Sequence, residues 1–231
     1  MHKPMCALAA WALVWPGASI VAQTTQQELL QKLATVKESV ARNQAVLREF
    51  TWTERTTVSE KGVVRRTGIA TCRYRPDDQF ERTPVSDFEE PPSGLKARIF
   101  EMKSASLEAY TQRLLALLNE YLPPSPRLMS TAHEAGNVSL GPSAPGAISL
   151  NFRNYLQSGD SLIFNFDSAT RSLRKVFVNT YLGDSKDPVT LFATFSSLPD
   201  GTNYVSSTTL NEKAKGIQIT IQNSNYQRTE P

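Results

Sequence analysis

Apolar residues early in the chain recur on a helical period. Leu29, Leu33, Val36, Val40, Leu47 and Phe50 follow one another at steps of three, four or seven. That spacing sets them along one side of a helix of about 25 residues. Gln26, Gln27, Lys32, Lys37, Glu38 and Arg42 fall on its other sides. Thr25 and Glu28 stand three apart just before the stripe, the spacing of a capping box, so the helix is expected to start there. Asn43 breaks the stripe where an apolar residue is due. With only about three heptads, the stripe reads as packing on its own domain rather than on a partner helix.

From residue 51 the period shortens to two. Residues 51–58 are rich in β-branched and aromatic side chains, Glu60-Lys61-Gly62 is a turn, and 63–75 return as a second strand stopped by Pro76. A short third strand fits 80–85, inside an acidic, Pro-containing stretch. Leu107, Tyr110, Leu114, Leu117, Leu118 and Tyr121 give a second helix with a wide apolar face, capped by Ser104 or Ser106 and ended by Pro123-Pro124. Residues 125–146 hold three Gly and three Pro among small side chains. They read as a long loop, the least ordered mature segment and a candidate flap.

The remainder alternates as a meander of six strands. Ile148, Leu150 and Phe152 form the first inward row, and Leu162, Phe164 and Phe166 the second. Strands at 173–182, 189–198 and 202–210 follow, and Ile217, Ile219 and Ile221 close the set. Short turns between them imply a continuous antiparallel sheet. The strand from 173 is apolar on both faces, with Leu173, Phe177 and Tyr181 on one and Val176, Val178 and Leu182 on the other. Such a strand needs cover on both sides, or it offers one to a ligand.

Composition then adds a location. Lys3, the apolar run 6–15, Pro16-Gly17 and the small residues up to Ala22 have the layout of a secretory signal peptide, cut after Ala22. The run is too short to span a membrane, which takes about 20 residues. The mature chain, 23–231, is expected to be a single α+β domain in a periplasm or extracellular space, with no transmembrane segment. Removing Lys3 takes the formal charge from +3 to +2, too little for general nucleic-acid binding. Cys72 is alone after cleavage, which excludes an internal disulfide and reads as a small buried side chain.

Candidate chemistry is sparse. His133 is the only mature histidine, so a metal site lacks ligands. No nucleophile elbow, phosphate loop or dinucleotide spacing occurs, and the acidic clusters lack the calcium-loop spacing. The chain is therefore expected to be non-enzymatic, with no cofactor and no metal. Arg55, Lys61, Arg65, Arg66, Arg73, Arg75 and Arg82 make the first hairpin basic, which reads as charge protection of an edge or as a dock for an anionic partner. Trp52, alternating with Phe50, packs between helix and sheet or lines a ligand site.

This order of elements, with the turn Phe166-Asp167-Ser168-Ala169-Thr170-Arg171-Ser172-Leu173-Arg174-Lys175-Val176, resembles the LolA-like periplasmic lipoprotein-carrier fold. The resemblance implies a curved antiparallel sheet, an open half-barrel, covered by a long N-terminal helix and an inner helix over an apolar cavity. Its implied partners are lipid or lipoprotein acyl chains. The bottom-up expectation is a binding protein for an apolar ligand, lined by Trp52, Ile148, Leu150, Phe152, Leu162, Phe164, Phe166, Ile217, Ile219 and Ile221. The alternative is an envelope scaffold module with a packed sheet, binding a protein partner through the basic hairpin or the Ser/Thr-rich strands 190–209. A cavity of several hundred Å³ separates the two.

Overall fold

The structure, a computed structural model, describes residues 17–75, 77, 79–88, 95–142 and 144–229. Most of the expected signal peptide lies outside the described residues. Helix α1 (Gly17–Leu47) leads into strands β1 (Phe50–Glu60), β2 (Val63–Tyr74) and β3 (Phe80–Phe88). Helices α2 (Leu95–Tyr121) and α3 (Pro126–Glu134) follow. The chain then runs through β4 (Val138–Leu140), β5 (Ala147–Arg153), β6 (Ser161–Asp167), β7 (Leu173–Tyr181), β8 (Pro188–Ser197), β9 (Asn203–Glu212) and β10 (Ile217–Arg228).

These strands form one ten-stranded antiparallel sheet in the order β3-β2-β1-β10-β9-β8-β7-β6-β5-β4. Every neighbour is also a neighbour in sequence except β1 and β10, whose pairing joins the first hairpin to the meander. The sheet is not closed: β3 and β4 are its two edges, which makes it an open half-barrel. One face of the sheet carries the core, where Leu150, Phe152, Leu162, Phe164, Val176, Val178, Leu191, Leu210 and Ile219 meet Leu29, Leu33, Val36 and Val40 of α1 and Leu114 and Leu118 of α2. The apolar stripe of α1 is thus spent on its own sheet.

Several expected boundaries move. Helix α1 continues N-terminal of Thr25, so Thr25 lies inside the helix and not at its start. Ser104 and Ser106 likewise lie inside α2, which begins at Leu95. Residues 125–146 are not a structureless loop. Pro126 opens α3 at a position where a missing N–H is harmless, and Ser125 caps it by accepting from the Leu128 N–H at 3.3 Å. Met129 and Ala132 are buried, Lys37 of α1 donates to Ser130, and β4 then pairs with β5, Val138 opposite Phe152. The proline that suggested a loop was a helix start. The partition of β7 also changes. A bulge against β6 shifts its parity, so Leu173 joins Val176 and Val178 on the buried face, and Phe177 and Tyr181 stay half-buried on the other.

One buried carboxylate anchors α2. Asp160 accepts from the N–H groups of Tyr155 (2.6 Å), Leu156 (2.9 Å) and Gln157 (3.0 Å), and from the Tyr121 hydroxyl at 2.6 Å. It closes the β5–β6 connection and fixes the last turn of α2 on it, one group satisfying four donors that burial would otherwise leave unpaired.

Candidate functional site

At one end of the half-barrel the sheet and helices part around a cavity of about 500 Å³. The C-terminal half of α1 roofs it with Val40, Asn43, Gln44 and Leu47, and the end of α2 adds Leu118 and Leu122. The β6–β7 turn (170–173) and the β8–β9 turn (200–203) form two more sides. The floor is the end of the sheet where β1 begins and β10 ends.

That floor is aromatic because strand register brings rings from neighbouring strands together. Trp52 on β1 stacks on Tyr226 of β10 at 5.4 Å between ring centres, and on Phe80 of β3 at 5.9 Å. Tyr74 of β2 packs against both Trp52 and Phe80, and Tyr204 of β9 packs against Tyr226 at 4.3 Å. Five strands thus contribute one ring each to a continuous apolar wall, and Ile221 and Leu173 extend it. Burial pushes the Tyr226 hydroxyl far up from its ordinary range, so that ring stays neutral.

Polar contacts close the roof onto the rim. Asn43 reads the backbone of Asn203 in both directions: its Oδ1 accepts from the Asn203 N–H at 2.6 Å and its Nδ2 donates to the Asn203 carbonyl. Gln44 donates to the Pro124 carbonyl at 2.9 Å, and Ser39 donates to the Arg171 carbonyl at 3.0 Å. Apart from Val40, which packs into the core, the helix end is held at three points through side-chain hydrogen bonds. That is why a polar residue interrupts the stripe at position 43.

Beside the wall, Glu54 is buried and fully partnered. Its Oε1 accepts from Arg82 at 2.7 Å and from the Thr56 hydroxyl at 2.9 Å. Its Oε2 faces the Cys72 sulfur at 3.9 Å. Burial first, and the Glu54 charge second, push the Cys72 thiol up to about 12, which keeps it protonated and unreactive. Cys72 is therefore the small buried side chain expected of it. Among the described residues no group of His, Cys, Asp and Glu could hold a metal ion.

Of the residues picked out from the sequence, Trp52 and Ile221 line the cavity. Leu150, Phe152, Leu162, Phe164, Phe166, Ile217 and Ile219 are buried in the core beneath the helices, with half-buried Ile148 packed against them. Sequence reasoning missed Tyr74, Phe80, Tyr204 and Tyr226, whose common signal was aromatic residues at strand ends. The basic hairpin largely neutralises itself: Arg65 pairs with Glu60, Arg66 with Glu108, Arg73 with Glu81, Arg75 with Asp77 and Arg82 with Glu54. Charge on and beside the edge strand β3 fits edge protection. No described helix is long and apolar enough to cross a membrane.

No protein-family model and no curated protein matches the chain. Among solved structures, it is similar to a DUF1329 family protein from Desulfovibrio piger, with a TM-score of 0.42 and 8% identity over 87% of this chain and 92% of that one. It is also similar to a Vibrio parahaemolyticus domain named for outer membrane lipoprotein sorting, with a TM-score of 0.39 and 11% identity over 83% of this chain and 91% of that one.

Proposed function

We propose that this protein is an exported, non-enzymatic binding protein for an apolar ligand such as a lipid or an acyl chain, working in the periplasm or outside the cell. The observation that carries the reading is the cavity of about 500 Å³ with an aromatic floor and a helix roof. Its volume lies in the range of small-molecule sites, about 300–1,000 Å³. A ligand chain laid along Trp52, Tyr74, Phe80, Tyr226 and Ile221 is stabilised by burial at ~25 cal/mol per Å² of apolar surface. Apart from Val40 the roof is held by a handful of hydrogen bonds, so its end can open with the core strands in place. The eight remaining residues of the expected ligand row support the floor from the core and are not proposed as contacts. The apolar run before Ala22 supports export.

A scaffold module with a fully packed sheet would have no use for such a cavity, and the paired arginines of the hairpin leave it little net charge to offer. The test is native mass spectrometry of the protein purified from an envelope fraction. A co-purifying lipid that is lost or reduced in Val205→Trp, which sets an indole inside the cavity and narrows it, is the expected result. A ligand-free wild-type protein that also fails to take up added lipid overturns the proposal.

A further inference from the structure

The charges around the cavity are unevenly matched. Both carboxylates that line it are engaged, Glu54 with Arg82 at 2.7 Å and Asp200 with Arg228 at 3.0 Å. The lining cations are freer. Arg42 pairs with Glu38 one turn back on α1, but those side chains are 71% and 72% exposed, so water screens the pair. Arg171 has no ion-pair partner among the described residues.

Arg42 and Arg171 both line the cavity and belong to one corner of its mouth. Ser39 of α1 donates to the Arg171 carbonyl, and Arg42 lies three residues further on, on the same side of the helix. The Arg171 backbone is fixed from the other side too, its N–H donating to the Asp167 carbonyl at 2.9 Å. The Asp167 carboxylate caps the same turn by accepting from the N–H groups of Ala169 at 2.9 Å and Thr170 at 2.8 Å. Arg171 also sits at φ 60°, in the left-handed region where glycine or asparagine fits with less strain. A long cationic side chain is thus kept, against local preference, on a rigid turn at the edge of an apolar cavity. Strain of that kind gathers at ligand clamps.

Resting on the reading of the cavity as a binding site, we propose that its occupant is an amphiphile with one apolar chain and an anionic head group, and that Arg171, with Arg42 beside it, receives the head at the mouth. The volume suits one drug-sized molecule rather than a lipid of several chains. The chain follows the aromatic floor and the head stays in partial contact with water. A guanidinium is the group that meets a carboxylate or phosphate with two parallel hydrogen bonds.

The experiment compares ligands that share a chain and differ only in the head. Binding of dodecanoate, dodecyl phosphate and dodecanol to the full mature chain is measured by titration calorimetry at low salt. An anionic probe is expected to bind about tenfold more tightly than dodecanol, the size of one charge-assisted contact. Salt should narrow that ratio. Arg171→Glu should abolish it. Arg171→Gly suits the backbone angle, so it removes the guanidinium without straining the turn and should also narrow the ratio. Equal affinity for charged and neutral probes in the wild type overturns this inference and leaves the binding function standing, as does a ratio untouched by both variants. If neither class of probe binds, the binding function itself falls.

Discussion

Cys72 and Glu54 show how a single buried position sets chemistry. The thiol is held neutral because a thiolate there would be both desolvated and beside a carboxylate. Native protein should therefore resist iodoacetamide at pH 8 and label fully once unfolded, as followed by mass spectrometry; rapid native labelling would contradict the burial. The same shift has a stability consequence. A group whose pKa is raised by folding from 9.0 to about 12 contributes stability that is complete below pH 9 and is lost progressively as pH rises toward 12. Burial likewise raises Tyr155 to about 12. Denaturation midpoints should thus fall across that alkaline window, with a shallower fall in Cys72→Ala.

At the scale of elements, the roof helix and α3 illustrate two ways of fixing a helix. The C-terminal half of α1 depends on Asn43, because the Asn203 N–H lies in a nearly buried residue and has that side chain as its partner. Asn43→Leu restores the apolar stripe but orphans that donor. It should lower stability by about 1–3 kcal/mol, the usual cost of a buried unsatisfied group. Amide exchange should quicken over 39–47 while the core strands keep their protection; a stabilised variant would show that the stripe, not the hydrogen bonds, holds the roof. Helix α3 depends on its cap. Ser125→Ala removes the acceptor for the Leu128 N–H and should cost about 0.5–2 kcal/mol in chemical denaturation. Early proteolysis should fall elsewhere than in α3.

At the scale of the molecule, a core and a cavity share one sheet. The middle of the sheet is filled by its own side chains under α1, α2 and α3, and the end around Trp52 is left open. Binding there should stabilise the whole fold by mass action. A ligand at 100 times its dissociation constant adds about 2.7 kcal/mol, which in a chain of this size raises the melting temperature by several degrees. Dodecanoate should produce that rise in the wild type and little of it in Val205→Trp, measured by scanning calorimetry. Equal shifts in both proteins would place the ligand somewhere other than the cavity.

Periodicity carried by single elements was legible in the chain: the α1 stripe, the apolar face of α2, and the alternation of Leu150, Phe152, Leu162, Phe164 and Phe166, all five of which are buried. Those features depend on residues a few positions apart, and local geometry fixes which side they face. The continuous antiparallel sheet followed from the turns between them, and its openness from the resemblance of the element order. Local signals were less secure where one residue type serves two ends, as with Pro126, which reads as a loop former and starts a helix. What only the tertiary structure decided was where the sheet stays uncovered. The Ile and Phe rows were the natural wall of a cavity by pattern, yet the helices pack on all of them but Ile221, and the open end is lined by Ile221 and Trp52 together with Tyr74, Phe80, Tyr204 and Tyr226, the five rings coming from five different strands. Their meeting depends on the pairing of β1 with β10, two strands at opposite ends of the mature sequence, and on the register of each ladder. Neither is written in the spacing of nearby residues, because strand pairing over such distances is settled by the collective burial of the whole sheet.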